Sequence, residues 1–118
     1  MGLTKHANMY TAILIDDDKM HAEVLAARLR ARGLDVARHE DADRALFVLT
    51  RTRRPCDLVL INVSDSSQPW LKIVGELQKA CFSFSRCNPL ILCLSTVKRE
   101  PQFELQVEHL GARFVYER

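Results

Sequence analysis

Three short stretches, residues 12–15 (AILI), 58–61 (LVLI) and 90–94 (LILCL), are apolar at every position. A strand with one solvated face alternates apolar and polar residues, so unbroken runs of this length suit strands covered on both faces. Between them lie longer segments whose apolar residues recur at helical spacing. Strand and helix in alternation build a parallel sheet with helices on both sides.

The punctuation supports that order. Three aspartates, Asp16, Asp17 and Asp18, end the first run. After them Met20, Val24, Ala27 and Ala31 recur at i, i+4, i+7 and i+11, Leu25 and Leu29 widen the stripe, and Gly33 supplies a stop. The pattern predicts a helix of about 14 residues with that stripe inward. Residues 34–38 form a short second strand, and Asp41 caps a helix whose inner face is Ala42, Ala45, Leu46 and Leu49. A further helix runs through Leu71, Val74 and Leu77. Glu100 and Pro101 open another through Phe103, Val107 and Leu110, Gly111 closes it, and residues 113–116 make a fifth strand. The fold class is a doubly wound α/β sheet of five parallel strands.

With 118 residues the chain makes one domain, and 47% hydrophobic with 27% charged residues is enough apolar material for a core. The net charge of +2 is mild. Arg28, Arg30, Arg32, Arg51, Arg53 and Arg54 therefore read as solvated helix faces, and direct nucleic-acid binding by this domain is not expected. No apolar run approaches the roughly 18 residues of a membrane span, and residues 1–10 lack the apolar core of a signal peptide. No membrane partner and a cytoplasmic location are expected. Cys56, Cys81, Cys87 and Cys93 show no Cys-x-x-Cys spacing, which speaks against a metal site, and a Cys81–Cys87 disulfide is disfavoured in a reducing compartment.

Open α/β sheets carry their functional residues at the carboxyl ends of the strands. That rule nominates Asp16, Asp17 and Asp18, then Asn62, then Ser95 and Thr96, then Arg118. Adjacent carboxylates suit a hard cation such as Mg2+, but the same residues can cap the first helix. Ser95 has an equally local reading as a turn residue.

Together these strand ends resemble the receiver domain of two-component response regulators over residues 10–118. The resemblance rests on Asp16 and Asp17 in "ILIDDD", Ser95 in "LILCLST", and Gly111 and Ala112 before the last strand. It implies a flavodoxin-like sheet of order 2-1-3-4-5. It also implies an acidic pair holding Mg2+, a phospho-accepting aspartate after the third strand, and a hydroxyl and a lysine binding phosphoryl oxygens.

The departures are specific. The acceptor position falls on Asn62, whose carboxamide is a poor nucleophile and carries no charge. The lysine position falls on Arg118, a planar fork rather than a compact ammonium. The loop Pro and Gly positions fall on Ser66 and Trp70. The expectation is a degenerate receiver, not an enzyme, that regulates through protein interaction and requires no cofactor, with Asp16 and Asp17 a weak or vestigial Mg2+ site. The alternative is a receiver that accepts phosphate on another carboxylate, Asp65 or Asp17.

The implied partners are a signalling protein such as a histidine kinase or an output domain, and a second copy of the chain. Trp70 is a candidate interface residue. Receivers end on a fifth helix that this chain lacks, so residues 11–118 read as the receiver-like, N-terminal part of a longer regulator, with residues 1–10 an extension. Without that helix, apolar residues on the first helix's side of the sheet should be left exposed.

Overall fold

The computed structural model describes residues 10–52, 56–65, 67–84 and 89–117, apart from the side chains of residues 52 and 82–84. The elements are β1 (Tyr10–Ile15), α1 (Lys19–Ala31), β2 (Leu34–His39), α2 (Ala42–Thr52), β3 (Leu58–Asn62), α3 (Trp70–Phe84), β4 (Leu90–Ser95), α4 (Pro101–His109) and β5 (Arg113–Tyr116). All strand pairs are parallel and the order is β2-β1-β3-β4-β5. This is the flavodoxin-like architecture and the strand order that the sequence implied.

The two faces of the sheet are covered unequally. On one, Ile13, Ile15, Val59, Ile61, Ile91 and Cys93 pack against Ala45 and Leu49 of α2, Val74 and Leu77 of α3 and Val107 of α4. Each fully buried Leu, Ile or Val there contributes about 1.5–3 kcal/mol. On the other, Ala12, Leu14, Val36, Leu60 and Leu94 meet, among the described helices, α1 alone. That face leaves Leu90 and Val115 45% and 42% exposed. The apolar exposure expected on that side of the sheet is present.

Local signals fix the element ends. Asp18 caps α1, its side chain accepting from the His21 amide. Asp41 does the same for α2 through the Arg44 amide at 2.8 Å. Gly33 and Gly111 follow their helices at φ +93° and +90°, a left-handed conformation that costs glycine little.

The packing face of α1 differs from the expected one. Ala22 and Ala26 are buried with Leu25 and Leu29 beside them, whereas the stripe through Met20, Val24, Ala27 and Ala31 points to solvent. The helix has two apolar faces. Small side chains at 22 and 26 let it lie close on the sheet, and bulkier Met20 and Val24 would hold it away.

Cys56, Cys81 and Cys93 are free and buried, and burial pushes the Cys81 and Cys93 thiols up to about 12. They behave as small apolar core residues. Cys87, and with it the Cys81–Cys87 pairing, lies outside the described residues. No helix among the described residues is long and apolar enough to cross a membrane.

Candidate functional site

The parallel sheet brings the ends of β1, β3 and β4 to one edge. Asp16 follows β1 and is only 4% exposed. Asn62 is the last residue of β3 and sits beside it: its Nδ2 donates to Asp16 Oδ1 at 3.0 Å. The Asn62 Oδ1 accepts from the Ser64 amide at 3.0 Å and from the Ser64 hydroxyl. The orientation of the amide follows from its partners, because a carboxylate only accepts and a backbone N–H only donates.

On either side the hydrogen bonds continue. Thr96 donates its amide to Ser64 Oγ at 2.9 Å, and the two hydroxyls lie 3.0 Å apart. Asp16 Oδ1 also accepts from the Asp18 amide at 3.0 Å, and Asp16 Oδ2 pairs with His21 Nδ1. The other ring nitrogen of His21 reaches Glu117 Oε1 at 2.6 Å, just past β5. An unbroken polar line thus crosses the edge from Thr96 through Ser64, Asn62, Asp16 and His21 to Glu117. Such a network polarises its members and stiffens the segments that it joins.

The electrostatics at His21 are decided by its two neighbours. Burial alone would lower its pKa, but hydrogen bonds and charge from Asp16 and Glu117 outweigh burial and raise it above the ordinary 6.5. Both ring nitrogens face acceptors, so the imidazolium is the form that satisfies them. His39, at the end of β2, is shifted the other way: burial and the nearby Arg44 charge lower it, with Asp41 opposing. Its Nε2 is buried without a hydrogen-bond partner among the described residues.

The remaining predicted positions have separate roles. Asp17 is exposed. Ser95 is fully buried, its Oγ donating to the Val97 carbonyl and accepting from the Val97 amide at 3.2 Å, the geometry of a local turn. Arg99, which the sequence did not nominate, donates to the Val63 carbonyl at 2.9 Å and stacks over the Phe103 ring. Asp65 lies on the loop after β3 with Oδ1 accepting from the Ser67 amide and hydroxyl at 2.9 and 2.6 Å, contacts that lower its pKa.

Trp70 opens α3 with its ring in the core, 9% exposed, and its indole N–H donating to the Asp65 carbonyl. The structure places it as a packing residue of this chain rather than as an exposed anchor. Arg118 and Ser66 lie outside the described residues.

Mg2+ fits this donor set poorly. Both Asp16 oxygens are already engaged, Asn62 turns its N–H rather than its oxygen toward Asp16, and no group of three or more His, Cys, Asp or Glu among the described residues is arranged to hold a metal. His21 and Glu117 were not nominated by the strand-end rule as applied. Glu117 directly follows β5, and His21 lies in the first turn of the helix after β1, so extending the rule by one residue and one turn would have found both.

No family model matches the sequence, and no curated protein matches it. Solved structures do match. A response regulator from Burkholderia pseudomallei, solved with a phosphorylated aspartic acid, calcium ion and citrate, superposes with a TM-score of 0.77 at 19% identity, over 92% of this chain and 59% of that one. The fold is that of a receiver domain. A chemotaxis protein from Vibrio cholerae gives 0.71 at 19% identity, over 92% and 85% of the two chains. The receiver domain of an Arabidopsis thaliana histidine kinase, complexed with Mg2+ and BeF3−, gives 0.74 at 15% identity, over 91% and 80%. At these identities the likeness establishes the architecture, and the chemistry must come from this chain's residues.

Proposed function

We propose that the chain is a degenerate receiver, a regulatory protein-interaction module of two-component signalling that works without an aspartyl phosphate. The observation that carries this reading is Asn62, at the tip of the central strand where the receiver resemblance puts the phospho-acceptor. Its amide does what a carboxylate there could not do alone. It donates to Asp16 on one side and accepts from Ser64 on the other, so the edge is satisfied with neither cation nor phosphate. An aspartate at this position would set two carboxylates against each other and require a counter-charge.

A carboxamide oxygen cannot form the acyl phosphate, and His21 supplies internally the positive charge that Asp16 would otherwise take from a metal. The module is not an enzyme and requires no cofactor. Its partners are a histidine kinase or an output domain, met through contacts rather than through phosphoryl transfer.

The experiment is incubation with a small-molecule phosphodonor and Mg2+, followed by intact mass. No mass gain is expected; a stoichiometric gain of one phosphoryl group overturns the reading. Peptide mapping of such a gain to Asp17 or Asp65 would establish the alternative acceptor. Asp65 starts from a disadvantage, since one carboxylate oxygen is already committed to Ser67.

A further inference from the structure

The outward face of α1 is an apolar stripe that nothing among the described residues covers. Met20 is 80% exposed and Val24 52% exposed, and Ala27 and Ala31 continue the same line. At about 100° per residue these four lie opposite the buried Ala22 and Ala26. Their 4-3-4 spacing is the seam spacing of a helix that packs on another helix. Surface helices of a single domain normally carry charge in that place.

We propose that this stripe is a self-association surface, on which α1 of a second copy of the chain packs antiparallel about a twofold axis. Three features select this occupant. The first is size. The seam has large residues in its first half and alanines in its second, so an antiparallel copy sets Met20 of each against Ala31 of the other and Val24 against Ala27. A parallel copy would set Met against Met and leave a gap between alanines.

The second is charge. Glu23 and Arg30 flank the stripe on one side, seven residues apart and both exposed. The antiparallel pairing brings Glu23 of each copy to Arg30 of the other, twice by symmetry. Arg30 already donates one guanidinium nitrogen to the Val36 carbonyl at 2.9 Å, which holds it in place and leaves donors for a carboxylate. The third is the helix dipole, which favours antiparallel neighbours.

The contact is small, a single 13-residue helix about 20 Å long. It belongs to the weak, transient class of interfaces. A patch that complements itself in shape and charge makes a closed pair and does not propagate into a filament.

The test is sedimentation equilibrium of the chain from about 10 µM to about 1 mM, a range suited to weak association. A concentration-dependent monomer–dimer equilibrium is expected. Glu23→Arg alone and Arg30→Glu alone each place like charges opposite one another and should weaken the dimer at least about tenfold. Mixed one to one, the two variants carry complementary flanks and should recover the pair. Circular dichroism melts at low concentration confirm that each variant is folded.

A wild-type chain that stays monomeric at the highest concentration overturns the proposal. So does a wild-type dimer that either single reversal leaves intact, because the contact then lies on another face. Failure of the folded variants to pair when mixed overturns it as well. As a second route, Val24→Glu removes the seam without touching the flanking charges and should also give a monomer.

Discussion

On the α1 side of Asn62 the polar contacts end on charges, and on the β4 side they do not. The first corner contains Asp16, His21 and Glu117, with the His21–Glu117 bond reaching across 96 positions of sequence. The second contains Ser64 and Thr96, hydroxyls and amides without formal charge. Asn62 joins them because one end of a carboxamide donates and the other accepts. A sheet edge of this fold can thus be closed by pairing groups within the chain, where the charged half supplies strength and the neutral half supplies position.

The largest break comes from restoring the acid. Asn62→Asp places a carboxylate where an N–H now meets Asp16, and should cost about 2–4 kcal/mol at neutral pH by urea unfolding. Millimolar Mg2+ should return part of that loss to the variant and leave the wild type unmoved. A variant as stable as wild type without a cation would show that the two corners are not joined through position 62.

Next is His21→Gln, which keeps a polar group but removes the positive charge. Two charge-assisted bonds at a partly exposed site predict a loss of about 1–2 kcal/mol near pH 6. The sign with pH follows from the raised pKa of His21. Its stabilisation is complete below the unfolded value of 6.5 and is lost as pH rises through the folded value. His39, whose pKa is lowered, acts on the other limb: stability is lost as pH falls from 6.5 through its folded value. Melting temperatures between about pH 5 and about pH 9 should therefore fall on both sides, and His21→Gln should flatten only the alkaline limb.

Within the neutral corner Ser64→Ala removes the hydroxyl that links Asn62 to Thr96 and should cost about 0.5–1.5 kcal/mol, with no change in the pH profile. A change in that profile would mean that the corners share a titrating group. The smallest effect is expected for Thr96→Val, an exposed change that should stay within about 0.5 kcal/mol.

Much of the fold was legible because its signals are local. The unalternating runs became β1, β3 and β4, Asp41 capped α2, Pro101 began α4, and Gly33 and Gly111 closed their helices. The inward face of α1 was not legible, since periodicity reports that apolar residues share a face and not which of two faces meets the sheet. There Met20 and Val24 face outward, and Ala22 and Ala26, with Leu25 and Leu29 beside them, take the sheet because they fit it. Asp16 and Asn62 could be placed from strand ends. The His21–Glu117 bond could not, as it depends on how a helix and a distant strand end are brought together, and no sequence motif records that.

The amide at the tip of β3 has one more consequence, and it concerns time. An aspartyl phosphate is a clock: once made, it runs down by hydrolysis, and the signal lasts as long as the bond. The contacts that Asn62 makes have no such lifetime, because nothing covalent is formed and nothing is spent. On the function proposed above, a module that answers through this edge keeps its state for as long as its partner stays bound, so its memory is a dissociation rate.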